Sequence, residues 1–451
     1  MRYPVPILIN WGAKENKDAY VQHLAKVWTI LDYLDTLYKR GQKDDLVLII
    51  DGFDIHFQLP PEVIVSRYFQ ENERANKRIE KQVGAAVAKE RGFKQTVIFG
   101  HDKLCWPTDW RRPACWVVPE ASDPKKAYGP MTDADPGRAR ARWLNSGTVL
   151  GPVDDVRDIF RATLDLIHTN HTTDSDQFYF ANIWAAQEYA RRLAEPVDPF
   201  RNVDRASRDW PSIEAGQRTE YHFGLDYEAV LFQTMAFFRE YLTWQTFDGK
   251  VSSNSLTASY NKASSFWKGL KGSQQLIVRD PYYEKVLPAD LARARGPFAA
   301  ALGNVRTIHQ PGTKKTVSVT SPTASPSSSA LPVEKTWSDL SLGYNAISNQ
   351  VFPLLHFTGP KEFRHLWWPR LWFLPWAEEL LKAAVKAPRE PFSQEPIGGK
   401  IWWPGLLGEG QETKVDWGTK VGSWSDNGTF LGWDELCGPH ERIFKELDGR
   451  W

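Results

Sequence analysis

The chain has 451 residues, of which 42% are hydrophobic and 25% charged, and its 56 basic and 55 acidic side chains leave a formal charge of +1. This balance is typical of a folded globular protein and excludes a wholly disordered chain, and the lack of a Gly-X-Y period excludes a collagen-like one. It gives no global reason to expect nucleic acid or an anionic membrane as a partner. No apolar run reaches the roughly 18 residues that a transmembrane segment needs. Trp is unusually frequent, with 21 residues.

The first part of the chain alternates between strand-like and helix-like segments. An apolar run at 7–10 predicts a buried strand, and apolar residues spaced by three and four over 21–38 predict an amphipathic helix of about five turns. Residues 46–50 predict a second buried strand. This order predicts a right-handed βαβ unit in a parallel sheet. Ligands bind beyond the carboxyl ends of such strands, which is where Asp51 and Asp54 follow.

Further elements follow in chain order. The pattern predicts a polar helix over 61–92, a strand over 96–99, a strand broken by a turn over 143–150, helices over about 152–168 and 175–194, and a strand over 229–232. Loops are predicted over 104–140 and 197–219, and the Ser-, Thr- and Pro-rich run 316–332 is typical of a flexible linker. Cys105 and Cys115 form a disulfide in an oxidising compartment or remain two separate buried thiols.

The residues that carry chemistry are two carboxylates and a distant histidine. Asp51 and Asp54, three residues apart after a buried strand, can share one hard cation, although a solvated acidic turn is the alternative. His356 ends an apolar run, and an imidazole beside carboxylates favours Mn²⁺ over Ca²⁺. Gly359 allows close backbone approach, and Lys361 offers a charge to phosphate. The set predicts a metal-bridged diphosphate site; a hydrogen-bonded histidine at a strand end is the alternative for His356 alone.

Seven stretches resemble, in the same order, motifs of the glycosyltransferase domain of the procollagen-lysine hydroxylase family. They are Lys26–Trp28, Leu48–Asp54, Leu104–Pro107, Trp143–Gly151, Asp174–Tyr179, Leu225–Gln233 and His356–Lys361. The matches cover roughly 5–235 and 350–362. The resemblance implies a GT-A glycosyltransferase fold, an α/β fold with a Rossmann-like, mostly parallel sheet flanked by helices, which uses UDP-sugars and Mn²⁺.

The resemblance also implies roles for the matching residues on the donor side. The metal, Mn²⁺ with Mg²⁺ as the alternative, would bind Asp51, Asp54 and His356. Phosphate would be neutralised by Lys26 and Lys361, with Gly359 in the same turn as the second lysine. Phe53, where the family has Tyr, would stack on uracil; a core aromatic is the alternative reading.

The remaining matches imply residues around the sugar and the acceptor. Asn145, Ser146 and Gly147 would line the donor sugar, although a plain turn is the alternative. Asp174, Asp176 and Gln177 would face the sugar and acceptor, with a solvated helix N-terminus as the competing interpretation. Asp226 would lie near the reacting centre or act as a structural hydrogen-bond partner. The two aspartates of the 174–177 stretch and Asp226 are the predicted catalytic residues.

The resemblance implies a hexosyltransferase that moves a sugar, glucose or galactose, from UDP to a hydroxyl of a protein or glycan acceptor. The alternative is a non-catalytic carbohydrate-binding protein on the same scaffold. The chain departs from the family at Thr358, where the motif has Asn, and no hydroxylase domain is expected in the tail. The predicted divisions are a core over 1–235, an insertion over 236–345 with a flexible segment at 313–335, a return strand and metal motif over 346–362, and a Trp-rich extension over 363–451.

The location of the protein is predicted from weaker signals. The family works in the secretory lumen of the endoplasmic reticulum or Golgi, and two N-x-T sequons, at Asn170 and Asn427, agree with that. The N-terminus has no signal-peptide pattern, so an upstream segment absent from this chain is expected, with the cytosol as the alternative. The extension holds 10 of the 21 Trp, and its apolar run 366–373 would dock at a membrane interface or pack against the core.

Overall fold

The computed structural model describes residues 3–12, 19–52, 54–169, 175–248, 286–299, 306–309, 316–319, 331–360, 364, 367–386, 390–405 and 422–436. Helices and strands alternate through much of this length, and the sheets contain both parallel and antiparallel pairs. The predicted α/β class is therefore confirmed. Within these residues, no helix combines the length and apolar character needed to cross a membrane.

The helices are numbered in chain order. They are α1 (Ala19–Lys39), α2 (Pro61–Val83), α3 (Ala85–Arg91), α4 (Pro113–Trp116), α5 (Val153–Thr169), α6 (Asp176–Leu193), α7 (Ala289–Arg293), α8 (Ala377–Lys386) and α9 (Trp433–Leu436). Strands β1 to β8 are Ile7–Leu8, Leu46–Ile50, Ile55–Phe57, Val97–Asp102, Trp143–Pro152, Phe223–Leu225, Phe232–Thr234 and Leu242–Gln245. Strands β9 to β15 are Arg306–His309, Thr316–Val319, Leu342–Asn345, Gln350–Val351, Leu354–His356, Gly422–Ser425 and Phe430–Gly432.

The central sheet has the strand order β2-β5-β4-β6. Strand β5 runs antiparallel to both β2 and β4, whereas β4 and β6 are parallel. The prediction of a mostly parallel sheet is therefore wrong. The reason is that the ten-residue strand β5 lies between β2 and β4, which run in the same direction without pairing. Strands β2, β4 and β6 consequently end at the same edge of the sheet.

The predicted N-terminal βαβ unit is also wrong within the described residues. Strand β1 pairs in parallel with β14, and β14 pairs antiparallel with β15. The partner of β1 thus comes from the Trp-rich extension, which no local pattern around 7–50 could indicate. Strand β2 instead takes an edge position beside β5.

Strand β5 is continuous, although the sequence predicts a strand broken by a turn. Its register with β4 shifts where the adjacent residues Phe99 and Gly100 face Val149 and Asn145. Residues 146–148 therefore have no partner on β4 and form a bulge. Bulges re-aim side chains and are common next to active sites. The Asn-Ser-Gly signal thus marks a real irregularity, but within a strand.

Helices cover both faces of the central sheet. On one face, α1, α5 and α6 pack in a core that contains Val97 and Phe99. On the other face, Ile64 of α2 packs with Ile98 and Leu150. Because successive strand residues point to opposite faces, this alternation buries β4 on both sides and explains its continuous apolar run.

The predicted helices agree with the observed ones except over 61–92. That segment contains two helices, α2 and α3, separated by Gly84 at a φ of 89°. This left-handed backbone interrupts the helix and is easily adopted by glycine. The predictions over 152–168 and 175–194 correspond to α5 and α6.

A second sheet, with the order β3-β13-β7, adjoins the carboxyl end of β2. Strand β13 is antiparallel to β3 and parallel to β7, so His356 faces Ile55 on one side and Thr234 on the other. Because Ile55 directly follows Asp54, this pairing places His356 next to the Asp51–Asp54 region, although the long insertion separates them in sequence.

The insertion and the extension share a core with α2. Trp372 is 5% exposed and packs in one cluster with Val63, Leu291 and Trp337. Its indole Nε1 donates a hydrogen bond to the Gln58 carbonyl oxygen at 2.8 Å. In the described part of 366–373, therefore, the observed arrangement is packing against the core, which was the alternative to membrane docking.

The structure bears on two irregular segments. Within the segment 313–335, predicted to be flexible, Thr316–Val319 forms strand β10 and pairs antiparallel with β9. Three of its four residues, Thr316, Val317 and Val319, are β-branched, which favours a strand. In the loop over 104–140, Cys105 and Cys115 form a disulfide, which decides between the two alternatives that the sequence left open.

Candidate metal and nucleotide site

The backbone brings Asp51, Asp54 and His356 together at the edge where β2 ends. The amide of Asp51 donates to the carbonyl oxygen of Gly147 in the bulge at 3.0 Å. The amide of Phe357 donates to the carbonyl oxygen of Asp54 at 2.8 Å. These two bonds tie the acidic turn to the β5 bulge on one side and to the end of β13 on the other.

The three side chains offer two carboxylate oxygens and one imidazole nitrogen, all within 4.8 Å of one another. His356 Nε2 lies 3.7 Å from Asp51 Oδ2 and 3.5 Å from Asp54 Oδ1. Ligands that lie about 2.1 Å from one ion are about 3 to 4 Å from each other, so the spacing fits a shared divalent cation. The mixed oxygen and nitrogen set fits Mn²⁺ better than Ca²⁺. His356 Nδ1 is buried and makes no hydrogen bond within the described residues.

Gly147 provides the close contact between the bulge and this cluster. A Cβ atom at Gly147 would lie 2.1 Å from His356 Cε1 and 2.7 Å from Asp51 Oδ2. Real side chains never approach that closely, so the position requires glycine for steric reasons. Its predicted contact with a donor sugar stays a prediction; the structure places its backbone against the imidazole.

Lys26 connects the cluster to α6. Its Nζ donates to Asp51 Oδ1 at 2.7 Å and to the Ser146 carbonyl oxygen at 2.8 Å, and it lies 3.3 Å from Asp176 Oδ2. Burial opposes the charge on Lys26, but Asp176 and Asp51 outweigh it and raise the lysine pKa above its usual value. Burial likewise opposes ionisation of Asp51, yet Lys26 and His356 hold the Asp51 pKa below its usual value. One oxygen of Asp51 is thus held by Lys26, and the other faces His356.

Asp102, the last residue of β4, is a site residue that the sequence reasoning missed. Its Oδ2 accepts from Asn145 Nδ2 at 3.0 Å and from Gln177 Nε2 at 3.4 Å. Its Oδ1 is buried without a hydrogen bond within the described residues. Burial raises the pKa of Asp102 to about 6, against the opposing effects of Asn145, His356 and Gln177. The position after an apolar strand, like that of Asp51, was the signal that could have found it.

The amides that hold Asp102 also hold the bulge. Asn145 Oδ1 accepts from the Gly147 amide at 3.0 Å, and Gln177 Oε1 accepts from the Ser146 amide at 3.4 Å. In both Asn145 and Gln177, the side-chain NH2 group therefore donates to Asp102, and the side-chain oxygen accepts from a backbone amide of the bulge. The structure brings the predicted residues 145–147, 176 and 177 together beside the metal cluster.

Asp226 lies in a different environment. Its carboxylate accepts from the amides of Val230, Leu231 and Phe232 at 2.9, 2.7 and 2.7 Å. The residue is 1% exposed. Burial and the Glu71 carboxylate raise its pKa to about 7, while the three amides act in the opposite direction. Of the two roles predicted for Asp226, this geometry favours the structural one, and the catalytic role stays untested.

The other predicted residues are placed less completely. Phe53, Asp174 and Lys361 lie outside the described residues. Gly359 has a φ of 75°, which favours glycine, and a Cβ atom there would lie 3.5 Å from the Ala236 Cβ, with no atom of the metal cluster within 4 Å. At the family's Asn position, the Thr358 hydroxyl oxygen accepts from the amides of Met235 and Ala236 at 3.1 and 2.8 Å.

The sequence matches no protein-family model, and no curated protein matches it significantly. The family assignment therefore stays a prediction, and it continues to depend on the order of the seven motifs. The site itself depends on distances and hydrogen bonds that hold without the assignment.

Proposed function

We propose that the chain is a metal-dependent glycosyltransferase that moves a hexose from a UDP-sugar to a hydroxyl group of a protein or glycan. The observation that carries the proposal is the cluster of Asp51, Asp54 and His356, whose spacing and donor set fit Mn²⁺. The GT-A architecture belongs to the same proposal. The order of the seven motifs supports the reaction class, and the cluster supports the metal requirement.

In this proposal, Asp51, Asp54 and His356 hold the cation through two oxygens and a nitrogen. When bound, Mn²⁺ would neutralise the diphosphate of the departing UDP, which favours the transition state over the ground state. Lys26 donates to Asp51 Oδ1, so that the other carboxylate oxygen, Oδ2, is the one that faces His356 and the proposed cation. Gly147 lets the strand backbone approach the imidazole without a clash.

The acceptor side of the proposal uses the first turn of α6. Asp176 lies there, with Lys26 Nζ 3.3 Å from its Oδ2. Its carboxylate would take the proton from the acceptor hydroxyl as that oxygen attacks the sugar, the role of a general base. Asn145 and Gln177, fixed by Asp102, would keep the bulge in the shape that accommodates the sugar.

The test measures UDP binding and UDP-sugar hydrolysis with Mn²⁺ and with a chelator. Asp51→Asn, Asp54→Asn and His356→Ala each remove one ligand; we expect metal-dependent UDP binding to fall at least about 100-fold, or about 2.7 kcal/mol. Asp44→Asn, an exposed aspartate near β2, is the matched control and should behave as wild type. UDP binding without metal, or wild-type turnover in all three variants, would refute the proposal.

A non-catalytic sugar-binding protein is the second candidate, because two indoles are exposed in the loop that the disulfide closes. Trp106 and Trp110, in the disulfide-closed loop, are 58% and 47% exposed. Trp110 contacts Trp143 at the start of β5, with ring centroids 5.8 Å apart. Aromatic faces can pack against sugar rings. Retained glycan binding that Trp106→Ala and Trp110→Ala abolish, without hydrolysis or transfer of any UDP-sugar, would favour this function.

A further inference from the structure

The hairpin between β14 and β15 ends in a tight turn that exposes Asn427. Ser425 donates its amide to the Thr429 carbonyl oxygen at 2.9 Å, and Gly428 donates its amide to the Ser425 carbonyl oxygen at 3.0 Å. Gly428 has a φ of 82°, the left-handed conformation that glycine supplies in three-residue hairpin turns. Asp426, Asn427 and Thr429 are all exposed at this tip.

The turn presents the two functional groups of an Asn-x-Thr sequon. Asn427 Oδ1 accepts from the Thr429 amide at 3.0 Å and from the Ser425 hydroxyl. These bonds orient the side-chain amide through its oxygen. Within the described residues, Asn427 Nδ2 makes no hydrogen bond, and neither does the Thr429 hydroxyl. The nitrogen that would accept a glycan is therefore not engaged in the fold.

A second observation concerns the compartment. The Cys105–Cys115 disulfide joins two residues of the core, far from this hairpin in sequence. Disulfides persist in the secretory pathway and outside the cell and are rare in the cytosol. Asparagine glycosylation takes place in that same pathway, so the disulfide indicates a compartment in which the sequon can be modified.

We propose that Asn427 carries an N-linked glycan. Nδ2 forms a bond to the anomeric carbon of a lipid diphosphate-linked oligosaccharide, and the carbon–oxygen bond to the diphosphate breaks. The lipid diphosphate leaves with the electron pair, and the amide gives up one proton. Because the hairpin tip is exposed, the folded protein accommodates the added sugar without losing a core contact. This modification does not depend on the glycosyltransferase activity proposed above.

The experiment directs the full chain into the secretory pathway of eukaryotic cells with an added leader and recovers the folded protein. Peptide mapping follows enzymatic removal of N-glycans in isotopic water, which converts each occupied Asn to a labelled Asp. We expect most copies of the Val421–Arg442 peptide to carry the label at Asn427. An unlabelled peptide from protein whose Cys105–Cys115 disulfide has formed would overturn the proposal.

Matched variants separate the sequon from the rest of the turn. Thr429→Ser keeps the sequon and should keep the glycan, whereas Thr429→Ala removes it while leaving Asn427 in place. Asn170→Gln removes the other sequon and should leave the label at Asn427 unchanged. Equal labelling in Thr429→Ser and Thr429→Ala would contradict N-linked glycosylation, as would label confined to Asn170.

Discussion

Strands β2 and β6 end at the same edge of the central sheet, and each is followed directly by an aspartate, yet the two carboxylates are used differently. Asp226 after β6 is enclosed, and three backbone amides occupy its oxygens. Asp51 after β2 has a side chain that is 39% exposed. Lys26 holds one of its oxygens, and the other faces His356 and Asp54. Both aspartates therefore occupy the same kind of position at the sheet edge. They differ in whether a carboxylate oxygen is left for a ligand: backbone amides occupy the oxygens of Asp226, whereas one oxygen of Asp51 faces the other two members of the candidate metal cluster.

Asp102, at the end of β4 between these two strands, is intermediate. One of its oxygens accepts two side-chain amides, as the carboxylate of a structural residue would. The other is buried without a hydrogen bond within the described residues. The series from Asp226 through Asp102 to Asp51 therefore runs from saturated to open carboxylates, and each member predicts a different experimental result.

The largest effect is expected for Asp226, whose carboxylate oxygens already accept three hydrogen bonds. Asp226→Ala leaves three buried amides without an acceptor, and we expect the free energy of unfolding to fall by about 3 to 5 kcal/mol. Metal-dependent UDP binding by the folded fraction should be unchanged. Denaturant unfolding and UDP titration measure the two quantities. The control is Asp204→Ala, an exposed aspartate that accepts from one amide; it should cost only about 1 kcal/mol. Lost activity at full stability would instead support the catalytic role of Asp226.

Next to Asp51, the open carboxylate, we expect a substitution to change metal binding rather than the free energy of unfolding. Gly147→Ala places a methyl group against His356 and Asp51, so we expect Mn²⁺ affinity and turnover to fall about 100-fold, which corresponds to about 2.7 kcal/mol. Calorimetric Mn²⁺ titration checks the first effect. Gly296→Ala is the control, because no atom lies within 4 Å of a Cβ there and its φ is not left-handed. Unchanged Mn²⁺ affinity in Gly147→Ala would show that the ion does not bind at this cluster.

The sequence predicted the candidate site better than it predicted the sheet around it. The apolar run 46–50 and the aspartates that follow it are local signals, and so is the end of the run at His356. Their proximity was expected from their ligand chemistry as one metal-bridged set and from the family resemblance. The direction of β5 was not predictable from its own residues, because a fully buried strand has the same apolar run in a parallel and an antiparallel pair.

The missed features depend on contacts between distant segments. Strand β1 finds its partner in β14, and Lys26 finds Asp176, from residues far apart in the chain. Asp102 was overlooked because Gly100 and His101 separate it from the apolar run of β4. The chemistry of single residues could therefore be predicted, but the hydrogen-bond partners that decide their roles could not.

Asp102, the intermediate carboxylate, can be tested through the pH dependence of the free energy of unfolding. The pKa of Asp102 is raised to about 6 from a usual value of 3.8, mainly by burial. The folded state therefore binds the proton more tightly, and this contribution to stability is present below pH of about 4 and lost as the pH rises through about 6. Relative to Asp102→Asn, the unfolding free energy of the wild type should fall by about 2 kcal/mol between pH 4 and 7. Parallel curves for the two proteins would contradict a raised pKa.

The smallest effect separates two roles of Lys26, neutralising phosphate and holding Asp51. Lys26→Met removes a positive charge 2.7 Å from Asp51 Oδ1 and frees that oxygen, so Mn²⁺ should bind about tenfold more tightly, or about 1.4 kcal/mol. Lys39→Met, an exposed lysine at the end of the same helix, should leave the affinity unchanged.

UDP titration at saturating Mn²⁺ then isolates any direct contact of Lys26 with phosphate. Weaker UDP binding in Lys26→Met supports that contact, and equal binding assigns Lys26 to Asp51 alone. Weaker Mn²⁺ binding in Lys26→Met would show instead that Asp51 needs the lysine to reach its ligand position, because loss of the repulsive charge would then be outweighed by loss of orientation.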